Sequence, residues 1–130
     1  MTYGLADTSV FIAHESGRPL GGMPRHVAVS VITLGELELG VIAAATVEQR
    51  ARRAETLALA RAADTIPIND AVMGSFARLV HDCREHGVKA NVLDALIAAT
   101  AIQHGLPVVT QDDDFAAMAS AHPQLAVIQV

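Results

Sequence analysis

Residues 106–115 of the chain read LPVVTQDDDF, an apolar segment followed by three consecutive acidic residues. The segment Leu106–Val109 predicts a buried strand, in which Pro107 is tolerated near the start. Ligand sites of α/β proteins lie beyond the carboxyl ends of the parallel strands. The acids after Val109 therefore indicate that a functional site is expected at the carboxyl end of this strand.

Four other short segments are predicted as strands, namely Thr2–Ala6, Val27–Ser30, Thr65–Ile68 and Leu125–Val130. Thr65–Ile68 contains Pro67, which favours an edge position. Helices are predicted at Val10–His14, Val31–Ala45, Thr46–Ala63, from Asn69 or Asp70 to His86, from Asn91 to His104 and from about Phe115. Strands separated by helices, without polar–apolar alternation, favour a parallel sheet covered on both faces. We therefore predict an α/β fold, a three-layer α/β/α sandwich with a central parallel sheet, in one domain spanning residues 1–130.

The composition excludes several classes of protein. Hydrophobic residues make up 52% of the chain, which excludes intrinsic disorder. No apolar stretch reaches the roughly 20 residues that a membrane crossing needs, and no signal peptide is visible, so no membrane partner is expected. The single cysteine, Cys83, suits the reducing cytoplasm. The net charge of -5 argues against a nucleic-acid partner unless the acids are gathered at one site.

Five carboxylates are placed where such a site would form. Asp7 follows the first strand, Glu36 lies in the helix after the second, and Asp94 lies in the first turn of the helix before Leu106. Asp112 and Asp114 follow the strand that ends at Val109, and they share one side if the chain stays extended there. An oxygen-only set of ligands suits Mg²⁺ or Mn²⁺. Helix caps and a solvated helix start are the alternative interpretation of the same residues.

Four motifs resemble those of PIN domains of the VapC toxin family. They are GLADTS at residues 4–9, SVITLGEL at 30–37, LDALIAATA at 93–101 and VTQDDDF at 109–115. Each motif alone is weak, whereas four in order along nearly the whole chain are specific. The resemblance implies a PIN-like fold and an endoribonuclease that depends on Mg²⁺ or Mn²⁺, with one or two ions per chain. It also implies the toxin half of a type II toxin–antitoxin pair, which blocks translation.

The resemblance assigns roles to particular residues. The family's catalytic and metal-binding acids fall on Asp7, Glu36, Asp94 and Asp112, and Asp114 is a further candidate metal ligand. Supporting polar roles, such as orienting the carboxylates, fall on Thr8, Ser9, Asn91 and Thr110.

The resemblance also implies partners. These are an RNA substrate (tRNA or rRNA), a cognate VapB-type antitoxin and a second copy of the chain in a homodimer. The apolar-rich helices Val31–Ala45 and Ala71–Val80 are where the protein–protein surfaces are expected, although core packing is the simpler account of most of their residues.

The helix ligand is ambiguous from periodicity alone. On a helical wheel Glu38 falls inside the apolar stripe formed by Val31, Leu34, Leu37 and Val41, and Glu36 falls nearly opposite. Periodicity therefore nominates Glu38, whereas the family motif nominates Glu36. We choose Glu36, since this helix is expected to pack on two sides.

Seven of the nine basic residues lie between positions 50 and 89. They suit either a solvated helix surface or a rim that contacts phosphates, and four are RNA-binding candidates: Arg50, Arg52, Arg53 and Arg61. The six histidines are scattered and are not expected to be catalytic.

Two other functions are weighed. A response-regulator receiver domain would need an acidic pair near the first strand and a lysine at the end of a later strand. In this chain Asp7 stands alone after the first strand, and the only lysine, Lys89, lies ahead of a helix. A PIN-like module that binds RNA or a partner without cutting is disfavoured because all four acidic positions are filled. Without the five candidate acids the chain is neutral, so its acidity is compatible with a nucleic-acid substrate.

Overall fold

The computed structural model describes residues 2–130, which form five strands and six helices. In chain order the elements are β1 (Tyr3–Ala6), α1 (Thr8–Glu15), β2 (His26–Ser30), α2 (Val31–Ile42), α3 (Val47–Arg61), β3 (Asp64–Ile66), α4 (Asp70–Glu85), α5 (Val92–Gln103), β4 (Val108–Thr110), α6 (Asp114–Ala121) and β5 (Val127–Gln129). The predicted strands and helices are all present, and most boundaries differ by one to three residues.

The strands form one sheet in the order β3-β2-β1-β4-β5, and every neighbouring pair is parallel. This order places β1 between β2 and β4 at the centre, and β3 at an edge as Pro67 predicts. A receiver domain has the flavodoxin-like order 2-1-3-4-5 instead. The observed sheet therefore argues against the receiver alternative.

Successive residues of the central strands point to opposite faces of the sheet. Leu5 packs in a core cluster with side chains of α4, α5 and α6, such as Leu79, Ile97 and Phe115. Its neighbour Ala6 packs in a second cluster with α1, α2 and α3. The two clusters confirm the three-layer α/β/α arrangement with a central parallel sheet. They also explain why the strands lack polar–apolar alternation.

Short polar side chains set the beginnings of the helices. Ser30, Thr46 and Asn69 each accept a hydrogen bond from a backbone N–H in the first turn of α2, α3 and α4. Asn91 Oδ1 accepts from the N–H groups of Leu93 at 3.0 Å and Asp94 at 3.2 Å, which begins α5. These caps satisfy donors that a helix leaves without partners.

The strand predicted at Leu106–Val109 lies two residues further along, at Val108–Thr110. Pro107 has no N–H to donate, but its carbonyl accepts from the Leu5 N–H at 2.8 Å. Pro107 thus directly precedes β4, and its hydrogen bond to Leu5 places the start of β4 beside β1. No helix among residues 2–130 is both long and apolar enough to cross a membrane.

Candidate active site

An acidic cavity of about 240 Å³ opens at the carboxyl end of the sheet, beside β1 and β4. Four acids from four separate segments of the chain line it. The complete lining is Asp7, Thr8, Ser9, Ile12, Arg18, Glu36, Asp94 and Asp112. The structure thus brings together all four acids that the motifs nominate.

Asp7 occupies the N-cap position of α1, yet its side chain caps no backbone N–H. The carboxylate instead accepts from Ser9 Oγ at 2.7 Å and from Thr110 Oγ1 at 3.1 Å. Asp7 is only 2% exposed, and a buried carboxylate is costly without such donors. The helix-cap interpretation is therefore wrong for Asp7, whose carboxylate is held at the acidic cavity by two hydroxyl groups.

Glu36 reaches the acidic cavity from the second turn of α2. Thr8 Oγ1 donates to Glu36 Oε1 at 2.6 Å and lies 3.1 Å from Thr33 Oγ1. The hydroxyl of Thr8 thus ties the start of α1 to α2. The predicted supporting residues Thr8, Ser9 and Thr110 are all found in contact with a candidate acid.

Glu38 points away from the acidic cavity and contacts Arg61 Nη2 through Oε2 at 3.4 Å, with 55% of its side chain exposed. The wheel nominated Glu38 because it assumes one buried face. In the structure α2 packs on two sides, since Ile32 packs against one core cluster and Leu37 belongs to the other. The choice of Glu36 as the residue at the site agrees with this geometry.

Asp94 lies half-buried in the first turn of α5. Asn91, three residues earlier, is the cap of this helix and does not line the acidic cavity. Its contribution is indirect, because the cap sets the position of the turn that carries Asp94.

The stretch after β4 differs from the extended conformation assumed for it. The strand ends at Thr110, and Asp113 has α-helical backbone angles as the N-cap of α6. The expectation that alternation aligns Asp112 with Asp114 is therefore wrong. Asp112 is instead tied to the site by its backbone N–H, which donates to Thr110 Oγ1 at 2.9 Å.

The charges of the five candidate acids influence one another. Burial raises the pKa of Asp7 to about 6; hydrogen bonds from Ser9 and Thr110 oppose the rise, and the charges of Asp112 and Asp94 add to it. The pKa of Asp94 is also raised to about 6. Burial is the largest cause, and the negative charges of Asp114, Glu36 and Asp112 contribute to the rise. Asp114, which does not line the acidic cavity, thus still lies within electrostatic reach of Asp94. Like-charged carboxylates at one site resist ionisation together.

The donor chemistry of this site fits a hard divalent cation. The lining offers carboxylate and hydroxyl oxygens and no sulfur or imidazole nitrogen, which suits Mg²⁺ or Mn²⁺ rather than Zn²⁺. The carboxylates surround the acidic cavity without closing on one point, and no group of three or more His, Cys, Asp or Glu side chains that could hold an ion as it stands is found among residues 2–130.

Among the described residues, none of the four candidate RNA-binding arginines lines the acidic cavity, although Arg53 lines an adjoining cavity together with Thr8 and Glu36. Arg53 Nη1 donates to the Gly40 carbonyl at 2.7 Å, which joins α3 to α2. Arg61 contacts Glu38. Contact of these arginines with RNA stays a prediction. Arg18 lines the acidic cavity and was missed, because its loop position after α1 carries no periodic signal.

The histidines are also outside the acidic cavity. His122 Nδ1 lies 2.7 Å from Asp82 Oδ2 and is buried, while His81 faces Glu85 on the surface of α4. Cys83 is buried in the core beside Leu79, which agrees with a packing role.

Comparison with known proteins assigns the family. The PIN-domain profile matches residues 5–121. Ribonuclease VapC8 of Mycobacterium tuberculosis is 60% identical over 100 residues, which cover 75% of this chain and 89% of that protein. Ribonuclease VapC5 of the same species is 48% identical over 120 residues, covering 91% and 89%.

A solved structure shows the same fold. The crystal structure of VapBC-5 from Mycobacterium tuberculosis, a member of the VapBC family of toxin–antitoxin systems, contains a chain that matches over 100% of both chains, with 41% identity and a TM-score of 0.90. Profile, sequence and structure agree with the resemblance carried by the four motifs. This chain therefore belongs to the VapC family of PIN-domain ribonucleases.

Proposed function

We propose that this chain is an endoribonuclease, dependent on Mg²⁺ or Mn²⁺, that hydrolyses RNA phosphodiester bonds. The observation that carries the proposal is the convergence of Asp7, Glu36, Asp94 and Asp112 on the acidic cavity from four segments of the chain. Family membership supports the reaction class, since the relatives are named ribonucleases. In this proposal residues 1–130 act as one PIN-like nuclease domain.

Asp7, Glu36, Asp94 and Asp112 would hold one or two divalent ions, with Asp114 as a further ligand. When bound, such ions lower the pKa of a coordinated water and offset the charge that develops during in-line attack on a phosphodiester. Mn²⁺ is expected to substitute for Mg²⁺ because both accept oxygen ligands.

The chain's own contribution is to hold these carboxylates in place before substrate arrives. Ser9 and Thr110 donate to the two oxygens of Asp7, and Thr8 donates to Glu36. These hydroxyl groups restrict the carboxylate rotamers, and the hydrogen bonds from Ser9 and Thr110 favour the ionised form of Asp7. A site fixed in this way needs less reorganisation during the reaction.

We further propose that the chain is the toxin of a VapBC-type pair, acts in the cytoplasm and blocks translation by cutting tRNA or rRNA. The relative of known structure comes from a VapBC toxin–antitoxin system, which supports a VapB-type antitoxin as the partner. A homodimer is also proposed. Exposed apolar side chains of α2, among them Leu39 at 64% and Ile42 at 72%, are compatible with protein–protein contacts there.

Incubation of the purified protein with total RNA, followed by mapping of new ends, tests the ribonuclease proposal. We expect defined cuts with Mg²⁺ or Mn²⁺ and none with chelator. Asp94→Asn, purified in the same way, controls for contaminating nucleases and is expected to be inactive, whereas Asp113→Asn is expected to retain activity. Equal cleavage by wild type and Asp94→Asn, or cleavage in chelator, would contradict the proposal. RNA binding without any cleavage would instead favour the non-cutting module.

A further inference from the structure

Arg18 is the one cationic side chain in the lining of the acidic cavity. Its neighbours there are four carboxylates, two hydroxyl groups and the apolar Ile12. An RNA strand carries negative charge at each nucleotide, so these carboxylates repel it wherever they remain uncompensated. A cation at the rim of the acidic cavity would offset this repulsion, whereas an arginine elsewhere on the surface would not.

Backbone hydrogen bonds set the position of Arg18. Helix α1 ends in a left-handed turn at Gly17, with φ +73°, where a residue with Cβ would be strained. The Gly17 N–H donates to the His14 carbonyl at 3.1 Å, and the Arg18 N–H donates to the Ala13 carbonyl at 2.9 Å. This pair of bonds is a Schellman motif, which reverses the chain at the end of the helix. Arg18 is thereby attached rigidly to the same helix that begins beside Asp7.

The guanidinium group of Arg18 forms no ion pair with any carboxylate among residues 2–130, although acids line the same cavity. The side chain is also exposed, so a ligand from solvent can reach it. Its planar fork of N–H donors matches the oxygens of a phosphate, with two parallel hydrogen bonds.

We propose that Arg18 binds a backbone phosphate of the RNA next to the one that is cut. The inference rests on the proposed ribonuclease function and deepens it. The scissile phosphate would lie at the carboxylates. Arg18 lines the same cavity but pairs with none of these carboxylates, so its guanidinium group is available to the phosphate that flanks the scissile one. Arg18 thus fixes the register of the strand across the acidic cavity.

The test measures RNA binding and cleavage separately. In the Asp94→Asn background, which is expected to bind RNA without cutting it, we expect Arg18→Gln to raise the Kd for a single-stranded RNA about tenfold. The slope of log Kd against log salt should fall by about 0.7, the value for one lost phosphate contact on a single strand. In the cutting enzyme KM should rise by a similar factor with little change in kcat, since binding to a flanking phosphate is the same in ground and transition states.

Arg25→Gln is the matched control. It removes the same charge from an exposed position directly before β2, at the amino end of the sheet, whereas the acidic cavity opens at the carboxyl end. Arg18→Lys keeps the charge without the fork and is expected to keep the salt slope while losing part of the affinity.

The result that overturns the inference is a Kd and a salt slope for Arg18→Gln equal to those of Arg25→Gln. A Mg²⁺ affinity raised by Arg18→Gln with an unchanged RNA Kd also overturns it, since Arg18 would then act on the carboxylates. These results differ from failure of the proposed function, which is the absence of metal-dependent cleavage by the protein that carries Arg18. Unchanged thermal unfolding of Arg18→Gln checks that the variant is folded.

Discussion

Thr110 at the end of β4 donates its hydroxyl hydrogen to Oδ2 of Asp7 at 3.1 Å, across a sequence separation of 103 residues. The same oxygen of Thr110 accepts from the Asp112 N–H at 2.9 Å. One buried hydroxyl therefore fixes a carboxylate at the end of β1 and the backbone that carries a second one. This link exists because β1 and β4 are parallel neighbours whose carboxyl ends coincide.

Thr110→Val tests this link while keeping the branched shape of the side chain. Loss of the donor should raise the pKa of Asp7 above its present value of about 6, because the Thr110 hydroxyl group now favours the ionised form. We expect RNA cleavage at neutral pH to fall at least about tenfold, because the change removes the hydrogen bond to the Asp7 carboxylate and also the acceptor of the Asp112 N–H.

Thr100→Val is the control for that experiment. Thr100 is equally buried, but its hydroxyl group donates to the Leu96 carbonyl within α5. If both valine variants lose activity equally, the effect comes from burial of the new methyl group and not from the contact with Asp7.

The two glutamates of α2 should differ sharply. Glu36→Gln removes a negative charge from the acidic cavity and is expected to reduce cleavage about 100-fold and to weaken Mg²⁺ binding. Glu38→Gln breaks only an exposed contact with Arg61, which contributes little. Cleavage rates of the two single variants, measured at saturating and at limiting Mg²⁺, show which glutamate acts at the site. A greater loss of cleavage in Glu38→Gln than in Glu36→Gln would show that the metal ligand of α2 is misassigned.

The metal-free protein should lose stability as the pH rises through about 6. Asp7 and Asp94 have folded-state pKa values of about 6 against an ordinary 3.8. The folded state therefore binds more protons than the unfolded state in this window, and the stabilisation is fully present below about pH 4 and is lost above pH 6. We expect Tm in chelator to fall between pH 5 and pH 7, and Asp94→Asn to reduce that fall by on the order of 3 °C.

Mg²⁺ should reverse this loss, because it binds the ionised carboxylates. The rise in Tm on adding Mg²⁺ is expected to be larger at pH 7.5 than at pH 5. Asp113→Asn serves as the comparison for Asp94→Asn, since it removes an exposed acid directly beside Asp112 in the chain. An identical Mg²⁺ effect at both pH values would argue against ion binding by these carboxylates.

Replacement of Gly4 and of Gly35 by alanine should change the free energy of unfolding in opposite directions. A Cβ at Gly4 in β1 would lie 2.6 Å from Cγ2 of the buried Val109 and 3.1 Å from Cγ of Pro24. Gly4→Ala should therefore lower the free energy of unfolding by about 1–3 kcal/mol. Gly35 in α2 has open space at that position, and Gly35→Ala should raise it by about 0.5–1 kcal/mol. Urea unfolding of the two variants checks both signs.

Local patterns in the sequence were sufficient for the order of strands and helices, for the helix caps at Thr46, Asn69 and Asn91, and for the motifs that carry Asp7, Asp94 and Asp112. Such features depend on residues within one or two turns of each other, such as Asn91 and the first turn of α5. No local pattern predicted the pairing of β1 with β4, which brings Asp7 to Thr110; it is known from the structure.

Three features depended on the tertiary structure. The position of Glu36 follows from two-sided packing of α2, which a one-face wheel cannot represent. The carboxylate of Asp7 faces the acidic cavity because hydroxyl groups two and 103 residues away outcompete the cap that its position predicts. Arg18 meets the acids only through the reversal at Gly17. For Glu36 and Asp7 the deciding contacts join elements whose distance in space is set by the sheet order. For Arg18 the turn is local to the end of α1, and the sheet order brings Asp94 and Asp112 to the same cavity.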